Sequence, residues 1–131
     1  MNSAVLIVDD EHLIRETLSD LLSMAGLRTL QAGDSCEALE MLKTKAPEVG
    51  ILVTDVRMPG SMDGLDLATT AQKSWPWIKV IVMSGHYDRE PDRLPRNARF
   101  LAKPWHSHDV MEIVQGAARE FEATQTMAGF H

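Results

Sequence analysis

The chain alternates short apolar runs with longer stretches in which apolar residues recur at helical spacing. The apolar runs are Ala4 to Val8, Arg28 to Ala32, Val49 to Thr54, Ile78 to Met83 and Ala98 to Ala102. Each has the length of a strand, although the second run is mixed with polar residues. Because strands that are buried on both faces of a sheet are apolar throughout, the pattern predicts five parallel strands.

Four of the remaining stretches carry a helical pattern. Apolar residues from Ile14 to Ala25 line one face of the first helix, and Gly26 can end it. The second helix begins at Asp34, a cap with an acid three positions later. The third covers Asp63 to Ser74, and the last has an apolar stripe from Val110 to Phe121.

The stretch from His86 to Asn97 is the exception, because it contains two prolines and almost no apolar stripe. A fourth helix there should be short or irregular. Strand and helix alternating five times predict a doubly wound, five-stranded parallel sheet of the flavodoxin-like α/β class. We expect one domain over residues 1–123 and a frayed C-terminal tail over residues 124–131.

Composition and charge narrow the function classes. With 131 residues the chain suits one domain, and its net charge of −6 disfavours binding to nucleic acid or to anionic membranes. The single Cys36 excludes an internal disulfide, and no apolar run approaches the roughly 20 residues that span a bilayer. We therefore expect a cytoplasmic, stand-alone domain that is a monomer or a weak dimer.

Polar residues follow four of the predicted strands. Asp9-Asp10-Glu11 follows the first, Asp55 the third, Ser84 the fourth and Lys103 the fifth. Taken singly, these are a solvated acidic loop, a strand-end acid, a turn former and a surface charge. In a parallel sheet they would meet at one edge, where three crowded carboxylates favour a hard divalent cation such as Mg²⁺. Together they make a site suited to phosphoryl transfer.

The same residues resemble the ordered signature of response-regulator receiver domains from two-component signalling, over Val5 to about Phe121. The segments that carry the resemblance are Val8-Asp9-Asp10-Glu11, Thr54-Asp55-Val56-Arg57-Met58-Pro59-Gly60, Ser84-Gly85 and Lys103-Pro104.

The resemblance implies a role for each residue. Asp55 would accept the phosphoryl group as an acyl phosphate. Asp10, Asp55 and the main-chain carbonyl of Arg57 would bind Mg²⁺, with Asp9 acting largely through water. Lys103 would pair first with the acceptor carboxylate and then with the phosphoryl group.

The resemblance also implies a switch. Ser84 would move to hydrogen-bond the phosphoryl oxygens, while Phe100 occupies the place of the aromatic that rotates inward; an ordinary packing role for Phe100 is the alternative. The Lys103–Pro104 peptide bond is commonly cis in the family. Phosphorylation from a histidine kinase or a histidine phosphotransfer protein would then change the face formed by the fourth helix, fifth strand and fifth helix, and so control partner binding.

Several positions depart from the family pattern. The loop after the acceptor, Met58 to Gly64, is one residue longer than usual. Arg57 and His86 lie where side chains influence the lifetime of the acyl phosphate. The segment Gly85 to Trp105 has an excess of basic residues, which could dock an acidic partner or could simply be solvated; its arginines are Arg89, Arg93, Arg96 and Arg99. Trp75 and Trp77 could form a contact surface or cap the core.

Three other functions remain open. A hydrolase with an aspartyl-phosphate intermediate would also use an acid at a strand end, but such enzymes typically carry a second acid where this chain has Arg57. A constitutive binding module of the same fold would not need the complete site. A flavin-binding relative would want a phosphate-binding loop after the first strand, where this chain has acids. We therefore expect a signalling domain that catalyses only its own phosphorylation and dephosphorylation.

Overall fold

The computed structural model describes residues 3–58, 60, 62–85 and 93–128, with the side chains of residues 125–128 left aside. Five strands form one parallel sheet in the order β2-β1-β3-β4-β5. The doubly wound, flavodoxin-like fold predicted from the sequence is confirmed. The strands are β1 (Ala4–Val8), β2 (Arg28–Ala32), β3 (Val49–Asp55), β4 (Lys79–Ser84) and β5 (Arg99–Ala102).

Helices cover both faces of this sheet. Neighbouring residues of a strand point to opposite faces, and here both faces carry apolar side chains that the helices bury. Leu52 belongs to the core cluster beneath α2 and α3, whereas Ile51 and Val53 belong to the cluster beneath α1 and α4. Every residue of β1 and of β3 is buried. The helices are α1 (His12–Met24), α2 (Ser35–Lys45), α3 (Gly64–Ser74) and α4 (Ser107–Ala128), with a short 3-10 turn at Ala46–Glu48.

The predicted helix ends are mostly confirmed. Gly26 follows α1 with a φ of 84°, a conformation that favours glycine. The Asp34 carboxylate accepts the amide of Glu37 at 2.8 Å, and the Glu37 carboxylate reaches the amide of Gly33 instead of completing a capping box. A complete capping box starts α3, where Asp63 and Asp66 each accept the other's amide.

The last helix corrects the expectation of a frayed tail from residue 124. It continues through Ala128, because neither proline nor glycine lies between Ala117 and Ala128. The predicted fourth helix falls largely on residues 86–92, outside the described residues. The part that follows, residues 93–98, contains turns and no helix.

Trp75 and Trp77 cap the core. Both are half-buried and pack against the cluster beneath α2 and α3. The indole nitrogen of Trp77 also donates to the main-chain oxygen of Ala46 at 3.3 Å, which ties the start of β4 to the 3-10 turn. Among the helices of the described ranges, none is long and apolar enough to cross a membrane.

The start of α3 lies directly against the end of β3. The amide of Gly64 donates to the main-chain oxygen of Val56 at 2.8 Å. A Cβ atom on Gly64 would lie 1.8 Å from the main-chain oxygen of Asp55 and 2.7 Å from its carbonyl carbon. No side chain fits there, so the absence of a Cβ allows the helix to pack on the backbone of Asp55.

We predict that Gly64→Ala lowers the free energy of unfolding by roughly 1–3 kcal/mol, because helix and strand must move apart to relieve the overlap. Urea denaturation measures the change. Gly33→Ala is the matched control, since its added Cβ would make only ordinary contacts at 3.6 Å. Equal stability of the Gly64 variant and the control would contradict the packing described here.

Candidate functional site

The candidate site lies at the carboxyl edge of the sheet. Asp55 is the last residue of β3 and Ser84 the last of β4, while Asp9 directly follows β1 and Lys103 follows β5. The parallel register pairs Val8 with Thr54 and Ser84 with Ala102, so these strand ends are level with their neighbours. The structure thus brings together the residues that the sequence placed at four separate strand ends.

Three carboxylates converge at this edge. One oxygen each from Asp9, Asp10 and Asp55 lies within 4.8 Å of the others. Asp9 is fully buried and Asp55 is 7% exposed, whereas Asp10 is open to solvent. Clustered carboxylate oxygens with one solvent-facing member suit a hard divalent cation that keeps part of its water shell.

Lys103 supplies a positive charge to this cluster. Its Nζ lies 3.2 Å from Oδ2 of Asp9 and 3.4 Å from Oδ1 of Asp55, and its side chain is only 18% exposed. The main-chain amide of Lys103 donates to the oxygen of Ser84 at 2.9 Å, which anchors the turn after β5. The Lys103–Pro104 peptide bond is cis, as the resemblance implied.

Burial and charge act in opposite directions on the titration of this cluster. Burial raises the pKa of the Asp55 carboxyl; the Lys103 ammonium lowers it and the Asp9 carboxylate raises it again, so the net shift is upward. Burial lowers the pKa of Lys103, but the carboxylates of Asp55 and Asp9 outweigh it and the net shift is again upward. The environment of Asp55 therefore disfavours the charged form of its carboxyl relative to water, and Lys103 offsets only part of that effect.

Other predicted positions lie around this cluster. Ser84 is fully buried, Arg57 is exposed two residues after Asp55, and Phe100 is half-buried on β5 opposite Val82. Ser61, within the lengthened loop, lies outside the described residues, as do His86 and Arg89.

The arginines of the basic segment do not form one open patch. Arg93 donates to Asp63 at 3.3 Å and to Asp66 at 3.0 Å, and Arg99 pairs with Glu120 of α4. Arg96 is exposed. Two of the arginines that could have met an acidic partner are therefore engaged with acids of the same chain.

Two residues that the sequence analysis did not single out also shape the site. Gly64 lets α3 pack on the backbone of Asp55. Arg15, within α1, donates from Nη1 to the main-chain oxygen of Asp9 at 2.6 Å. Both residues contact main-chain atoms. Every residue has these atoms, so the sequence carries no signal for such contacts.

Comparison with known proteins identifies the family to which the chain belongs. The family model for the response regulator receiver domain matches residues 5–115. The chain therefore belongs to the response regulator receiver domain family, a class of signalling domains in two-component systems.

Individual relatives agree with this assignment. The chain is 29% identical over 119 residues to sporulation initiation phosphotransferase F of Bacillus subtilis, which covers 88% of this chain and 93% of that protein. It is 34% identical over 124 residues to the DNA-binding transcriptional regulator NtrC of Escherichia coli K12, covering 92% of this chain and 26% of NtrC. The match to the putative two-component response regulator ARR21 of Arabidopsis thaliana covers 18% of that protein at 32% identity. The chain thus spans about a quarter or less of these two longer relatives.

Solved structures show the same fold. A response regulator receiver domain protein from Clostridium thermocellum superimposes with a TM-score of 0.84 at 26% identity, covering 93% of this chain and 98% of that one. An uncharacterized protein from Neptuniibacter caesariensis gives a TM-score of 0.83 at 30% identity, covering 95% and 93%.

We predict that Asp55→Asn, measured without divalent cations, raises the free energy of unfolding at pH 7. A carboxyl whose pKa is raised by folding contributes stability below the pKa of the unfolded chain, about 4, and that contribution is lost as pH rises through the raised pKa. Asparagine stays neutral, so the advantage of the variant should shrink as the pH falls from the raised pKa toward about 4, the pKa of the unfolded chain, and should be absent below it.

Urea denaturation across this pH range measures the difference. Asp20→Asn, which removes an exposed carboxylate from α1, is the control and should change stability little. A variant that is no more stable than the wild type at pH 7 would show that the charge on Asp55 is fully compensated.

Proposed function

We propose that Asp55 accepts a phosphoryl group from a histidine kinase or a histidine phosphotransfer protein and holds it as an acyl phosphate. One observation carries the proposal: the Asp55 carboxylate lies beside both a fixed cation, Lys103 Nζ at 3.4 Å, and two further carboxylates within 4.8 Å. Phosphoryl transfer depends on positioning and on neutralising charge, and this arrangement supplies both.

The charge of the cluster supports Mg²⁺ as the cofactor. Three carboxylates against one ammonium leave a formal charge of −2, which one divalent cation balances. Asp10, Asp55 and the main-chain carbonyl of Arg57 would hold the ion, and Asp9 would act largely through water. When bound, the ion supplies neutralising charge to the phosphoryl oxygens.

The residues of the chain then have distinct tasks. A carboxylate oxygen of Asp55 attacks the phosphorus of phosphohistidine; a P–O bond forms as the P–N bond breaks, and its electron pair returns to the imidazole ring, which takes up a proton. Lys103 neutralises a phosphoryl oxygen, and the hydroxyl of Ser84 donates to another. The same groups serve hydrolysis, in which water attacks the phosphorus and Asp55 leaves as a carboxylate.

Readout would pass through β5 and the neighbouring helices. Phe100 lies next to Val82, two residues before Ser84. Among the described residues, Phe100 is not one of those that pack against either core cluster. A half-buried aromatic outside both clusters can change rotamer without opening a cavity in either one. Movement of Ser84 toward the phosphoryl group would make room for Phe100 to turn inward and would change the face that includes β5 and α4.

The proposal predicts that the chain gains one phosphoryl group when incubated with a small donor, such as acetyl phosphate, and Mg²⁺. Intact-mass spectrometry measures the gain. We expect a loss of labelling on removal of Mg²⁺ with EDTA and in Asp55→Asn, because the first removes the neutralising charge and the second the nucleophile.

Asp20→Asn is the matched control, an exposed aspartate changed in the same way, and it should be labelled like the wild type. Labelling of Asp55→Asn at the wild-type rate would show that another residue is the acceptor. No labelling of the wild type, under conditions that label a known receiver, would favour the constitutive binding module instead.

A further inference from the structure

Arg15 is a second cation at the site edge, and it contacts the main chain instead of a carboxylate. Its Nη1 donates to the main-chain oxygen of Asp9 at 2.6 Å, a shorter hydrogen bond than either of those that the Asp9 carboxylate accepts. Asp9 and Asp10 are consecutive, so this oxygen belongs to the peptide group that joins the two acids. Arg15 thus holds the segment that presents both carboxylates.

This bond completes the constraint on Asp9. The amide of Asp9 donates to the oxygen of Ala32 at 3.3 Å. Its Oδ1 accepts the amide of Glu11 at 2.9 Å, and its Oδ2 accepts Lys103 at 3.2 Å. Each polar group of Asp9 therefore has a partner, and Arg15 is the one that binds the carbonyl.

The guanidinium of Arg15 is itself oriented from two sides. Its Nε donates to Oε1 of Gln31 at 3.4 Å, and Nη2 lies 3.2 Å from Nδ1 of His12. Gln31 is held in turn by Glu16, at 3.4 Å. Because the guanidinium is planar, these contacts on β2 and α1 set the direction from which Nη1 meets Asp9.

We propose that Arg15 is a positioning residue that holds the Asp9–Asp10 segment so that both carboxylates face Asp55. The proposal rests on the metal site proposed above. Arg15 contacts neither ion nor phosphoryl group; it acts through the main chain of Asp9.

Charge and positioning predict opposite consequences of replacing Arg15. A cation near three carboxylates repels a divalent cation, so its loss would tighten Mg²⁺ binding if charge were its only influence. If Arg15 positions the acids, its loss lets them move apart and weakens Mg²⁺ binding. The sign of the change in Mg²⁺ affinity therefore separates the two roles.

The test is Mg²⁺ titration by calorimetry of the full chain and of two variants, Arg15→Lys and Arg15→Gln. Lysine keeps the charge but lacks the planar fork, so it removes positioning alone. We expect both variants to bind Mg²⁺ roughly tenfold more weakly, the lower end of the loss seen when groups that orient metal ligands are removed. The control is Arg28→Gln, at the opposite end of β2, which loses the same charge away from the site and should leave the affinity unchanged.

A second readout does not need the ion. In the metal-free protein, hydrogen exchange of the Glu11 amide reports its bond to Asp9 Oδ1. We expect exchange to be several-fold faster in both Arg15 variants, with unchanged exchange for the amides at the centre of β3. Faster exchange throughout β3 would mean global destabilisation and would contradict a local positioning role.

The two readouts separate this inference from the proposed function. Tighter Mg²⁺ binding in Arg15→Gln, or an unchanged affinity in both variants, would overturn the positioning role. A wild type that binds no Mg²⁺ would overturn the metal site, while faster exchange of the Glu11 amide would still support Arg15 as the residue that holds Asp9. Unchanged exchange of that amide would overturn the inference with or without the metal.

Discussion

Three carboxylates share one edge of the sheet, and two of them are shielded from water. Such crowding is unfavourable unless nearby groups compensate each negative charge. Lys103 lies between Asp9 and Asp55, and the amide of Glu11 satisfies the remaining oxygen of Asp9. The formal charge that remains matches one divalent cation. In the function proposed above, a metal ion would supply the compensation that Lys103 alone does not, and so would keep Asp55 ionised although burial raises the pKa of its carboxyl.

Main-chain contacts hold the end of β3 next to this cluster. Gly64 packs on the carbonyl of Asp55, and the amide of Val56 donates to the oxygen of Met83 at 3.0 Å, so the end of β3 is held by both α3 and β4. Phe100, on the edge strand β5, lies outside both core clusters of the described residues. A strand end held at the proposed acceptor, Asp55, and an aromatic side chain outside both core clusters suit the switch proposed above.

Much of this could be predicted from the sequence, for identifiable reasons. Strands β1 and β3 are apolar throughout because both of their faces are buried, and the polar residues that follow them stand out for that reason. Main-chain contacts could not be predicted: neither the close packing of Gly64 on the backbone of Asp55 nor the bond from Arg15 to the Asp9 carbonyl depends on the side chain of the contacted residue. The closer approach of Lys103 to Asp9 than to Asp55 depends on side-chain geometry that spacing does not specify. Helix α4 extends through Ala128, past the predicted start of the tail at Thr124, because the first helix-breaking residue of that segment is Gly129.

The most direct test of this account is a crystal structure of the chain with Mg²⁺ and beryllium trifluoride, a tetrahedral analogue of the phosphoryl group. The account predicts the analogue bonded to a carboxylate oxygen of Asp55 and in contact with Lys103 and Ser84. It also predicts one metal ion bound by Asp10, Asp55 and the main-chain carbonyl of Arg57. Fluoride density on another residue, or a metal ion bound away from Asp10 and Asp55, would contradict it.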